Sequence, residues 1–230
     1  MFVPLPTRTK PSLRWATPAL FAVLWLAYLW ASTRADDAQR NLLLEWAALS
    51  GGATLADSLG ALWADDYGLR LFSALFLHAD WIHLLGNLVF LLIFGFPSER
   101  VMGPWRFLLL FLLGGMVANL AAVLVMGAPQ RLLIGASGAV SALIGAYLAL
   151  FPHAKLGVVV PLGLFLEFVR APASLLIGIW ALLQVVFAYI GPAFGAVAWV
   201  AHVAGFGFGV LFALASHAAI ARRLRKRRGY

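Results

Sequence analysis

The chain has 230 residues, 63% of them apolar and only 11% charged, with a mean hydropathy of +0.92 and a net charge of +8. Soluble domains run at roughly 45–50% apolar and about 25% charged, so a water-soluble domain is excluded and a polytopic membrane protein is indicated. The absence of cysteine excludes disulfides, a thiol nucleophile and thiolate metal sites.

A bilayer core about 30 Å thick asks for roughly 20 apolar residues per helix. A basic segment, 1–17, leads into the first charge-free run, Trp15–Thr33. Its basic start and Ala31-Ser32-Thr33 also suit a cleaved signal, but Trp30 is bulky for one, and the run is read as a retained span. A long segment, 34–80, follows, in which Leu42, Leu43, Leu44, Trp46, Leu55, Leu59, Leu62 and Trp63 recur among acids at near-helical spacing. Such stripes with tryptophan predict short helices lying in the headgroup region. Trp81–Ser98, Phe107–Gln130 and Leu132–Ala154 are the next three charge-free runs. Leu156–Leu166 is too short to span and is read as an interfacial loop. Ala171–Ala221 is long enough for two spans, broken at Gly191-Pro192 and Gly195. The expectation is an all-α bundle of six transmembrane helices over 18–220, with a basic tail at 221–230.

Charge sets the orientation. With the N-terminus cytoplasmic, the inner segments hold thirteen Lys and Arg and the outer segments four, Arg34, Arg40, Arg70 and Arg131. The positive-inside rule then places both termini in the cytoplasm. The basic tail is read as bound to the anionic leaflet rather than to nucleic acid.

Polar side chains within spans point to function. They are His83 and Asn87 in the second, Asn119 in the third, Ser137 and Ser141 in the fourth, Gln184 in the fifth and His202 in the sixth. The runs hold no carboxylate, which disfavours an aspartyl protease or a carboxylate proton relay, and there is no HExxH for a zinc protease. In the predicted topology the second, fourth and sixth helices start on the outer side, so His83, Asn87, Ser137 and His202 fall at one depth, very roughly 5–10 Å below the outer surface. A serine and an imidazole at one level suffice for nucleophilic catalysis. Gly135 and Gly138 flank Ser137, and Gly205, Gly207 and Gly209 follow His202, so backbones there can approach closely. Asn119 and Gln184 are read as structural bridges between helices.

The segments HADWIHLLGNLVFL, LIGASGAVSALIGAYLALFP and AHVAGFGFGVLFA resemble, in order and spacing, the rhomboid intramembrane serine proteases. The similarity runs from about Arg70 to Leu214, and includes His78, Glu99-Arg100 and Gly103. It implies Ser137 as nucleophile and His202 as general base, with His83, Asn87 and the Ser137 N–H as oxyanion hole. It also implies cleavage of single-span or multi-span membrane-protein substrates that enter laterally near the fifth helix, and no cofactor. The charge-based orientation and the lack of an obvious transit peptide lead to the expectation of a plasma membrane, with the site opening outward. One departure stands out: many rhomboids carry an aromatic residue four positions after the nucleophile, packed on the imidazole, where this chain has Ser141. Ser141 is expected to replace it by hydrogen-bonding His202 across the interface with Gly205. The alternatives are a rhomboid-like protein that binds transmembrane helices without cutting them, and a channel or transporter using the buried histidines.

Overall fold

The computed structural model describes residues 14–50, 67–126, 131–162, 165–190 and 198–228. In chain order they form α1 (Ala16–Ser32), α2 (Asp36–Trp46), β1 (Ala48–Ser50), α3 (Tyr67–Ser73) and a 3-10 turn (Ala74–Phe76). There follow α4 (Trp81–Met102), α5 (Pro104–Val125), β2 (Arg131–Leu133), α6 (Ser137–Leu150), β3 (Lys155–Leu162), β4 (Phe165–Pro172), α7 (Ala173–Ile190) and α8 (Trp199–Arg228). By length and composition α4, α5 and α8 can each cross a membrane, while α1, α6 and most of α7 are apolar but shorter.

Helix α6 is the centre of the bundle. Nearly every residue from Gly138 to Tyr147 is buried, and α4, α5 and α8 all pack on it. A helix apolar on every side belongs where neighbours cover every side. Its small residues set how close those neighbours come. Gly205 of α8 lies against the Gly138 carbonyl and Gly209 against the Ala142 carbonyl, so a Cβ at either position would collide with backbone. Such glycine contacts let transmembrane backbones meet. Large apolar side chains on the outer helices, among them Leu26, Ile82, Leu109, Leu182 and Leu211, face outward.

Two features depart from an all-α chain. The expected interfacial loop at Leu156–Leu166 is instead an antiparallel hairpin of β3 with β4, in register Lys155↔Pro172 through Leu162↔Phe165. The β-branched run Val158-Val159-Val160 favours an extended backbone, and pairing satisfies amide groups that a loop would leave bare. β1, in the long segment between α1 and α4, pairs antiparallel with β2, the strand before α6. The first half of that segment forms a helix, α2, with Leu44 and Trp46 exposed, whereas Leu55, Leu59, Leu62 and Trp63 lie outside the described residues. So do Gly191-Pro192 and Gly195, between the end of α7 and the start of α8.

Helix α4 runs past Ser98, so Glu99 belongs to it and is buried. Its carboxylate accepts hydrogen bonds from Ala16 N–H and Thr17 N–H, at 2.9 Å each, and from Thr17 Oγ1–H at 2.7 Å. It therefore satisfies first-turn donors of α1 that have no intrahelical acceptor, at the end where the helix dipole favours a negative charge.

Candidate active site

Helices α4, α6 and α8 present their N-terminal turns to one cavity of roughly 730 Å³. Ser137 is the first residue of α6, and His202 lies in the first turn of α8. Ser137 Oγ and His202 Nε2 are 2.9 Å apart, a hydrogen-bond distance. His83 and Asn87, one turn apart on α4, line the same cavity. Side chains from three helices remote in sequence are thus brought together.

The strand and loop before Ser137 are fixed from outside the bundle. β1 holds β2, and Gly135 N–H donates to the Ala74 carbonyl at 2.8 Å. Gly135 has φ +110°, a backbone conformation that a side chain disfavours, and a Cβ there would lie 2.6 Å from His83 Cε1. The imidazole of His83 therefore rests on the glycine ahead of the serine. Asp80 caps α4 by accepting from His83 N–H at 2.8 Å. On the far side of this segment, Arg70 and Ser73 of α3 donate to the carbonyls of Leu44 and Trp46, tying α2 to α3. Asn119 bridges α5 to α3 through the Leu71 carbonyl.

His78 is buried beneath this loop, its ring edge-on to His83 at 5.1 Å. Asn87 Nδ2 lies 3.0 Å from His78 Nε2, and Ala136 N–H donates to the same nitrogen at 3.4 Å. An amide nitrogen only donates, so His78 Nε2 accepts and the ring is neutral there. Burial, aided by the neighbouring His83, pushes its pKa from 6.5 down to about 4, opposed by a backbone hydrogen bond at Phe76 and then by Asp80. His78 thus orients Asn87.

The expected Ser141–His202 contact is not what holds the ring. Ser141 is buried and donates back to the Ser137 carbonyl, four residues earlier, at 2.7 Å. A short hydroxyl inside a helix reaches its own i−4 carbonyl more readily than a neighbouring helix. Gly205, the residue through which Ser141 was to meet the ring, faces Gly138 and Ala118 instead. His202 Nδ1 lies 2.7 Å from Oε1 of Gln184 on α7, and Trp199 packs edge-on against the ring at 5.8 Å. Gln184, expected as a bridge between helices, thus reaches the imidazole itself. The usable signal was its depth: it precedes Gly191 by seven residues, as His202 follows Gly195 by seven. Among the described residues no three of His, Cys, Asp or Glu group together as metal ligands would.

A family model described as the rhomboid domain matches residues 65–219 of the chain. The Bacillus subtilis protein named "Putative rhomboid protease YdcA" is 32% identical over 130 residues, covering 56% of this chain and 58% of that protein. RHOMBOID-like protein 5 of Arabidopsis thaliana is 34% identical over 80 residues, 35% of this chain and 26% of its own length. Rhomboid protease GluP of Bacillus subtilis is 33% identical over 107 residues, 44% of this chain and 20% of its own length. The chain thus spans little more than half, or much less, of the relatives it matches.

Proposed function

The chain belongs to the rhomboid family, and on that premise we propose that it is an intramembrane serine endopeptidase acting on the transmembrane segments of other membrane proteins. The observation that carries the reading is the 2.9 Å approach of Ser137 Oγ to His202 Nε2. In the proposed reaction Ser137 Oγ attacks the scissile carbonyl carbon while its proton passes to His202 Nε2. The oxyanion formed is met by the Ser137 N–H, in the first helical turn where such groups lack intrahelical acceptors, with His83 and Asn87 as further donors. Collapse breaks the C–N bond, and the imidazolium gives its proton to the leaving amine. Water, deprotonated by the same ring, then hydrolyses the acyl-serine.

A second, apolar cavity of roughly 580 Å³ is lined by residues of α4 and α7, and shares Phe90, Ile144 and Trp180 with the first. It supports lateral entry of a single-span or multi-span substrate from the bilayer between these helices. The topology proposed is six spans over 18–220 with both termini cytoplasmic, in the plasma membrane, the site opening outward. Thirteen basic residues on the inner segments against four outside support that orientation.

The test is labelling by a fluorophosphonate, which needs an activated serine, beside cleavage of a transmembrane substrate in proteoliposomes. Parent protein is expected to react in both assays, and Ser137→Ala and His202→Ala in neither. Substrate binding without labelling or cleavage would replace the protease by a helix-binding rhomboid relative.

A further inference from the structure

We infer that Gln184 is the positioning residue for the catalytic imidazole, its side-chain oxygen holding the Nδ1–H of His202 as a neutral stand-in for the carboxylate of a serine triad. The inference rests on the protease reading and adds to it the group that fixes the base. An amide oxygen can only accept, so at 2.7 Å from Gln184 Oε1 the Nδ1 of His202 must carry the proton. A neutral imidazole has one N–H, which leaves Nε2 as the lone pair facing Ser137 Oγ at 2.9 Å. The two contacts therefore select one tautomer, the one able to take the serine proton. Without the acceptor, either tautomer is open and the imidazolium formed in the reaction loses its partner; a ring carrying Nε2–H would face the nucleophile as a donor and be useless as a base.

Burial strengthens the argument. Gln184 is 7% exposed, in a helix whose residues from Leu175 to Ala188 are otherwise apolar, and a buried amide is costly unless its hydrogen bonds are made. The other candidate for holding the ring, Ser141, is turned to the Ser137 carbonyl. Trp199 contributes an edge-on contact that limits ring tilt but cannot choose a tautomer. Gln184 also rides on α7, whereas Ser137 and His202 ride on α6 and α8, so the base is complete only while α7 is docked at this level.

The test compares parent, Gln184→Leu and Gln184→Glu, reading kcat, KM, the pH dependence of kcat/KM, and the ring nitrogen-15 resonances of His202 in micelles, assigned with His202→Ala. In the parent, Nδ1 is expected to be protonated and Nε2 bare. Gln184→Leu is expected to lose about 10- to 100-fold in kcat with KM within about twofold, the range spanned by one hydrogen bond to a charged group. It should show mixed tautomers. Gln184→Glu keeps an acceptor and is expected to restore kcat to within a few-fold of parent, with the acid limb of kcat/KM moved to higher pH. The other titratable groups lining the cavity are His83 on α4 and Asp80 at its cap, both kept in every variant, while α6 and α7 bring none to it. Parent kcat in Gln184→Leu, or equal losses in Leu and Glu variants carried by KM, would overturn the inference. So would a parent ring protonated at Nε2. That last measurement needs no turnover: an inert parent with Nδ1 protonated sinks the protease reading and leaves the contact standing.

Discussion

Acid should undo the site from beneath, at His78. The folded-state pKa lies at about 4 against 6.5 for the free side chain, mainly because the ring is buried. Between these values the unfolded chain binds the proton first, so stability is full above pH 6.5 and falls as pH drops toward 4. The difference amounts to about 3 kcal/mol at roughly 1.36 kcal/mol per pH unit. The geometry supplies the cause. Nε2 accepts from Asn87 Nδ2 at 3.0 Å and from Ala136 N–H at 3.4 Å, and protonation would set a third N–H against those two donors. His78→Gln is uncharged at any pH and is expected to flatten the profile by that amount. The measurement is unfolding in mixed micelles, followed by the fluorescence of the nine tryptophans, at pH 4 to 7.5 for parent and variant. Taking their difference removes the four other histidines. If both proteins lose stability with the same pH slope, the neutral, acceptor role of His78 is refuted.

Asn87→Ala is expected to lower kcat by about 10–1000-fold with KM little changed, the size seen when one oxyanion donor is removed; loss confined to KM would make Asn87 a substrate contact. Gly205→Val places carbon on the Gly138 carbonyl and forces α8 from α6; a shift near 1 Å at the Ser137–His202 pair costs on the order of 100-fold in turnover, and unchanged activity would show that the two backbones are not in close contact. Glu99→Ala strands three donors at the start of α1 and is expected to destabilise by about 3 kcal/mol or more, whereas Glu99→Gln, keeping one acceptor oxygen, should cost less in the same unfolding assay.

The apolar segments, and the grouping of Ser137, His202, His83 and Asn87 about one cavity, were legible in the amino-acid order alone. Composition and charge-free length are properties of the chain by itself, because lipid leaves backbone polar groups little choice but a helix. Depth follows from counting along such helices. The hairpin at Lys155–Pro172 was not legible: a short apolar run holding Gly157, Pro161 and Gly163 reads as a loop until its strand partner is known, and pairing decided it. Contacts between elements were out of reach for the same reason. Ser141 and Gln184 stand on different helices, both polar and both near the level of the ring, and only the rotation of α7 and α6 about their axes determines which one meets Nδ1. For α6 that rotation is tied to the small residues packing α8 onto it, with Gly205 on Gly138 and Gly209 on Ala142, so it belongs to the packed bundle and to no segment of sequence.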